Sequence, residues 1–364
     1  MKTITRYFET ISDPRVERSK KHRLLDIIVI TLCGILAGAD GWDAIYDFAV
    51  IKKDWLKKFL ALENDIPSSD TIRRVISCIK PSEFESSFSM WVSDLAGKIN
   101  GVVAIDGKTI KNKRTKNPLH LVSAWCTQNS GICLGQVATE DKSNEIIAIP
   151  KLLDMLDING CLVTIDAIGC QKKIAQKIID SAADYCLSVK KNQPKLHQQI
   201  EEFFSTADGS LMGNVKQTFE ENLGHGREEV RMAYLSQKRK EVPALSEWPE
   251  AKQFGMILSK RTIKGQSSVQ RRYFIMSSTV SAKRFISITR SHWGIENKLH
   301  WQLDVTFRED GNRIQKDHGQ QNLAVFRKIA INLLNKQNSK ISMKRRMFMM
   351  ALDSDYMEKV LALL

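Results

Sequence analysis

No disulfide framework runs through this chain. Its seven cysteines are an odd number and no Cys-x-x-Cys occurs, which argues against a secreted disulfide scaffold and for a reducing compartment. Cys33, Cys78, Cys161 and Cys186 lie in apolar runs and are expected to be core thiols. The N-terminus, Met1-Lys2-Thr3-Ile4-Thr5-Arg6-Tyr7-Phe8, lacks the apolar region of a signal peptide. The longest apolar stretch, residues 24–39, is broken by Asp26, Thr31 and Gly34 and is too short and too polar to span a membrane. Internal repeats and low-complexity tracts are also absent. These absences lead us to expect a soluble, cytoplasmic protein with no membrane partner.

What the chain does have is length and positive charge. Its 364 residues, 43% of them apolar, leave room for two or three domains. The net charge is +14 and the isoelectric point about 9.4, which favours a polyanionic partner. The basic residues are spread along the chain and not gathered in a tail, so a folded basic surface is expected over a disordered arm.

Residues 1–98 read as a helical N-terminal domain. A buried helix over 24–32 ends near Gly38, and Ile45, Phe48, Ile51, Trp55 and Phe59 recur at helical spacing over 43–60. Pro67-Ser68-Ser69-Asp70-Thr71 is a helix start with Ser68 or Ser69 as cap, and Pro81-Ser82-Glu83 is another. Arg73 and Arg74, just inside the capped start, make this domain a candidate reader of DNA ends in the manner of a helix-turn-helix. From residue 101 the pattern turns to strands over 102–105, 119–125 and 134–139. A helix over 144–156, a strand reaching Asp166, a basic helix over 171–181 and a strand over 185–189 follow. Three strands, helix, strand, helix, strand is the order of a ribonuclease H-like α/β core, in which the first and fourth strands are neighbours. Residues 192–280 interrupt it as a β-rich insertion. Helix resumes near Ser281, so that 99–191 and 281–335 form the core, and 336–364 form a helical tail with a basic patch at Lys344-Arg345-Arg346.

Three carboxylates stand out. Asp106 and Asp166 each end a short apolar strand, and Glu296 lies on the later helix. Carboxylates at the ends of neighbouring strands, joined by a third from a helix, offer hard oxygen ligands suited to Mg²⁺ or Mn²⁺. Two such ions, roughly 3.5–4 Å apart, are a common machinery for phosphodiester chemistry. The three carboxylates are therefore expected to converge within about 10 Å.

Asp106-Gly107-Lys108-Thr109, Glu140-Asp141-Lys142-Ser143-Asn144-Glu145, Thr164-Ile165-Asp166-Ala167-Ile168-Gly169-Cys170-Gln171-Lys172, His225-Gly226-Arg227-Glu228-Glu229 and the segment from His292 to Trp301 follow one another in order, preceded by Asp13-Pro14-Arg15 and Pro67-Ser68-Ser69-Asp70-Thr71. Over nearly its whole length the chain resembles the H-repeat-associated insertion-sequence transposases, a branch of the DDE enzymes. The resemblance implies a helical N-terminal domain, a ribonuclease H-like core with a β-rich insertion, and Asp106, Asp166 and Glu296 as catalytic, metal-binding triad. It implies two Mg²⁺ (or Mn²⁺) ions, double-stranded DNA as substrate at element ends and target, a homodimer in the synaptic complex, and action on the bacterial nucleoid. Related transposases place Tyr, Arg and Lys around the glutamate where Thr289, His292 and Leu303 stand here, and glycine where Lys191 stands. Arg290, Lys298 and His300 are then candidates for the phosphate contacts, with Lys108, Lys172, Lys173, Lys190, Lys191, Asn192 and His292 as further DNA-backbone candidates.

Other readings compete. His292, Glu296 and His300, at i, i+4 and i+8, form a helix stripe that could bind zinc, although the His-Glu-x-x-His string is absent. Trp293 and Trp301 are expected in the core more than as base-stacking platforms. The Asp106-Gly107-Lys108-Thr109 segment faintly resembles the phosphate loop of actin-like sugar kinases, without their Gly-rich adenosine segment. It also resembles phosphatases with a nucleophilic Asp, which want a second Asp where Lys108 stands. A different class of answer is a catalytically inactive or domesticated DNA-binding relative.

Overall fold

The computed structural model describes residues 6–111, 118–127, 131–139, 144–205, 216–224, 227–312, 314, 317–337 and 339–362. Motif residues Glu140, Asp141, Lys142, Ser143, His225 and Gly226 lie outside them. Nine strands form one mixed sheet: β1 (Gly101–Thr109), β2 (His120–Cys126), β3 (Ile132–Thr139), β4 (Cys161–Ile165), β5 (Asp184–Val189), β6 (Lys216–Gly224), β7 (Arg227–Ser236), β8 (Gln253–Ile263) and β9 (Gln266–Met276). Their order is β3-β2-β1-β4-β5-β9-β8-β7-β6. The first five strands thus follow the ribonuclease H-like order, with β1–β4 and β4–β5 parallel and β2–β3 antiparallel.

The insertion extends this sheet. β9 pairs antiparallel with β5, from Cys186↔Met276 to Val189↔Tyr273, and β6 to β9 form an antiparallel meander beyond it. Its helix Pro194–Ser205 and its strand β6 were not anticipated, nor were two short 3-10 helices, Arg239–Glu241 and Pro243–Glu247. The helix buries Leu196, Ile200 and Phe203 at helical spacing, a legible signal. β6, Lys-Gln-Thr-Phe-Glu-Glu-Asn-Leu-Gly, has no apolar alternation and owes its strand form to pairing with β7.

The chain divides into two compact units, one of residues 1–98, 107–144 and 296–364, the other of 99–106 and 145–295. In the first, α1 (Leu24–Leu36) is apolar on nearly every side and almost wholly buried. The run over 43–60 is not one helix: α2 (Trp42–Ile51) stops at Lys52 and a short α3 (Lys53–Leu56) follows. α4 (Ser69–Cys78) is capped by Ser68, whose hydroxyl accepts from the Thr71 N–H at 3.3 Å, and α5 (Pro81–Ala96) starts on Pro81. A later helix, Gly319–Lys336, packs on β3, α1, α4 and α5. Polar groups tie it down: Asn322 Nδ2 donates to the carbonyls of Ile76 and Ile79, and Lys328 Nζ to Gln136 Oε1 at 2.6 Å. In the second unit, α6 (Glu145–Asp154) and α7 (Lys172–Asp180) pack together and α7 lies on β5. Six of the seven cysteines are buried; Cys78, expected in the core, is exposed because it falls on the solvent side of α4. No described helix is long and apolar enough to cross a membrane.

Candidate active site

Asp106 and Asp166 meet through the sheet register. β1 and β4 pair in parallel from Gly101↔Cys161 to Ile105↔Ile165, so the next residue on each strand is an aspartate. Adjacent strands lie about 4.8 Å apart, which makes the two carboxylates neighbours. Both are half-buried. One detail departs from expectation: Asp106 does not end its strand, because β1 runs on to Thr109. It stands where β1 outruns β4.

Asp166 opens the loop after β4. Its Oδ1 accepts the Ile168 N–H at 3.0 Å, which folds the loop back on the carboxylate and makes Asp166 a turn acceptor; the cap position of α7 is Gln171. The residues after β5 hold this loop from outside. Asn192 Nδ2 donates to the Ala167 carbonyl at 2.5 Å and Gln193 Nε2 to the Cys170 carbonyl at 2.9 Å. Asn192, expected as a DNA contact, is thus engaged in shaping the Asp166 loop. Gly169 sits so close beneath it that a Cβ there would lie 2.2 Å from Ile165 Cγ2.

A helix runs beside this end of β4. α9, Ala282–Gly294 (α8 being the Pro194–Ser205 helix), begins at the Ser281 cap, whose hydroxyl accepts from the Arg284 N–H at 3.2 Å, and packs on β4, β6 and β7. Near its end His292 Nδ1 meets Thr164 Oγ1 at 3.1 Å. Burial lowers the His292 pKa to about 4; the charge of Asp166 opposes that shift and the charge of Arg272 adds to it. The imidazole is therefore neutral at pH 7, a hydrogen-bonding group and no counter-charge for phosphate. Trp293, expected in the core, is 42% exposed and lies under the Arg272 guanidinium at 5.7 Å. Trp301 is exposed as well, at 52%.

Glu296 lies on a π-helical turn, Ile295–His300, that continues α9. Such turns are rare and recur at functional sites. His292, Glu296 and His300 are all described residues, and they are not gathered as a metal-binding group. Glu296 and Lys298 are exposed. His300 is pushed down to about 3 by burial and by Lys328 and Lys108, so it too is neutral.

The other candidate cations differ in their surroundings. Lys173, Lys190 and Lys191 are exposed. Lys172 is paired with Glu247, Arg290 with Glu220 and Arg73 with Asp70; Arg74 is exposed. Lys108 is buried and bound by Asp304 at 2.7 Å and by Glu309 and Asp310 at 3.1 Å. It is a structural cation, and the expectation of a phosphate contact does not fit it. In the tail, Arg346 is buried, with its guanidinium on the Leu334 carbonyl, so the basic patch reduces to Lys344 and Arg345.

Among the described residues no group of three or more His, Cys, Asp or Glu side chains is gathered to hold a metal ion. The Asp106–Asp166 pair supplies hard oxygen donors one strand apart, and that donor chemistry fits Mg²⁺ or Mn²⁺.

A five-strand 3-2-1-4-5 core with one aspartate on its first strand and another directly after the paired end of its fourth defines a ribonuclease H-like protein. Sequence comparison gives the family. The family model "Transposase DDE domain" matches residues 98–333, and "DDE_Tnp_1-associated" matches 5–92. The chain is 42% identical to "Putative transposase YncI" of Escherichia coli O157:H7, over 98% of this chain and 93% of that protein. It is 38% identical to "H repeat-associated putative transposase YhhI" of Escherichia coli strain K12, over 100% of this chain and 98% of that protein. The chain belongs to the DDE transposases, in their H-repeat-associated branch.

Among the residues that shape the site, Thr164, Gln193 and Arg272 were not singled out from sequence. Arg272 had a signal: it shares strand parity with Phe274 and Met276, which point into the core.

Proposed function

We propose that this protein is a DNA transposase that cuts and joins strands at the ends of an insertion-sequence-like element, with Asp106, Asp166 and Glu296 as its catalytic carboxylates. The observation that carries the reading is the β1–β4 register, which brings Asp106 and Asp166 side by side in a chain matched end to end by transposase relatives. Glu296 is the third member by resemblance, and its π-helical setting supports a specialised role. Asp106 and Asp166, with Glu296, would hold two Mg²⁺ or Mn²⁺ ions, which supply Lewis-acid polarisation of the scissile phosphate and neutralise charge developing on it.

The chain's own groups do the rest. The Ile168 N–H holds one oxygen of the Asp166 side chain in place, and Asn192 and Gln193 keep its loop from shifting. The neutral His292 holds α9 against β4 through Thr164 without placing a competing cation beside the carboxylates. Water attacks first, in line, and frees an element 3′ end. That 3′-hydroxyl then attacks target DNA. The second step needs two ends held together, so a homodimer on paired ends is the working form. Residues 1–98 recognise the terminal repeats and exposed lysines neutralise backbone phosphates.

The test combines a nicking assay in Mn²⁺ with a gel shift, on DNA carrying the repeats that flank the gene. Asp106→Asn, Asp166→Asn and Glu296→Gln should each reduce nicking to background while binding survives, because lysines and arginines carry the affinity. A triad variant that nicks at the wild-type rate would sink the assignment. A wild-type chain that binds and never cuts would be a catalytically silent relative.

A further inference from the structure

The insertion brings an arginine to the Asp166 end of the sheet that no motif marks. On β7, β8 and β9 the rows Ala233–Ile257–Arg272 and Arg231–Ser259–Gln270 run across the meander, by the pairs Ala233↔Ile257, Ile257↔Arg272, Arg231↔Ser259 and Ser259↔Gln270. Alternate residues of a strand share a face. Ala233 and Ile257 lie in the cluster with Phe274, Phe285 and Ile288, so this is the face that α9 covers. Beyond the end of α9 the same face turns from apolar to cationic. Arg231 is tied to Glu229 at 2.8 Å and Arg261 approaches the same carboxylate at 4.0 Å.

Arg272 lies on β9, the strand of the insertion that pairs with β5 of the core. It is half-buried, and its Nε has no hydrogen-bond partner among the described residues. Its guanidinium lies 5.7 Å from the centre of the Trp293 ring, within cation–π range. Trp293 follows His292, His292 reaches Thr164, and Thr164 precedes Asp166 by two residues on β4. Both Asp166 and Arg272 act electrostatically on His292, in opposite senses. A guanidinium held at one edge of a carboxylate site suits a phosphate oxygen.

We propose that Arg272 is a DNA-backbone contact of this active site, its guanidinium braced on Trp293 and offered to a phosphate beside Asp166. The inference rests on the transposase reading. It assigns the insertion a share of substrate positioning, made by strand β9.

Salt titration on a random-sequence duplex tests it, because a phosphate contact needs no specific sequence. Arg272→Gln should lower the slope of log affinity against log salt by about 0.9, the signature of one lost phosphate. Arg271→Gln removes the same charge from the opposite face of the same strand and should leave the slope unchanged. On the repeat-bearing DNA, Arg272→Gln should raise the KM for nicking on the order of tenfold, as loss of a charge-assisted hydrogen bond implies, with little change in kcat. Arg272→Lys should restore the slope but only part of the KM, and it also serves if the glutamine variant folds poorly. Equal slopes for wild type and Arg272→Gln, or equal losses for Arg271→Gln and Arg272→Gln, overturn the contact while leaving a nicking wild-type enzyme a transposase. A wild-type chain with no affinity for the duplex overturns the transposase reading and this contact with it.

Discussion

At the residue scale, burial decides what a charge is for. Lys108 follows Asp106 by two positions and reads as a phosphate ligand, yet Asp304, Glu309 and Asp310 surround it. Burial alone would push the Glu309 carboxyl up; Lys108, Arg327 and Lys328 together hold it below its usual value. Lys108→Met leaves these acids short of a cation and should cost about 3–5 kcal/mol, read as a lower urea midpoint with the DNA salt slope intact. Equal stability of this variant would show that the network is dispensable. His292 and His300 make a pH prediction. Folded, they bind protons near pH 4 and 3; unfolded, near 6.5. Between those values the unfolded chain holds more protons, so stability is full above about 6.5 and falls as the pH drops toward 4. Proton NMR should find both imidazoles neutral at pH 5.5, and His292→Asn should flatten part of the loss of melting temperature on acidification. Either ring titrating near 6.5 in the folded chain would contradict its burial.

At the element scale, strand pairing and one loop build the aspartate pair. β1 and β4 are apolar enough to be buried on both faces, and their register sets the carboxylates level. The loop after β4 is packed to the limit at Gly169, where a Cβ would meet Ile165 at 2.2 Å and Ile149 at 3.0 Å. Gly169→Ala must shift the loop or the strand end and should cost about 1–3 kcal/mol. Because Asp166 opens this loop, nicking should fall by more than the small loss of folded protein explains, while gel shifts stay unchanged. A variant as active as wild type would mean that the loop absorbs the methyl without moving the carboxylate.

At the scale of the whole molecule, the excess of 14 positive charges favours DNA at long range, but specificity needs groups presented to bases. Arg73 and Arg74 lie in the first turns of α4, whose start is capped by Ser68. Arg73 is paired with Asp70, an exposed pair of little intrinsic worth that would not hold it back from a DNA contact. The double change Arg73→Ala with Arg74→Ala should weaken binding to the flanking repeats more than to random duplex. Equal loss on both would mark them as unspecific phosphate contacts and move end recognition elsewhere. Point variants are the right instrument, because the helices of this segment share hydrogen bonds with Gln136, Gln321 and Asn322 in the same compact unit. Removing the segment would expose those groups.

Sequence by itself determined the elements whose signal is local. α1 is apolar throughout, α4 has its serine cap, α5 has proline at its first turn, and the order of strands and helices from 101 to 189 gave the ribonuclease H-like arrangement with Asp106 and Asp166 on adjacent strands. Tertiary structure alone decided what depends on distant partners. Lys108 meets Glu309 across 201 positions of chain, so no local pattern reveals its burial. β6 is a strand only because β7 lies beside it, and the insertion extends the sheet because β9 finds β5. Arg272 and Trp293 come together for the same reason: one belongs to that added strand and the other to the end of the helix covering it. Hydrophobic periodicity reports which face of an element is buried, and is silent about which element buries it.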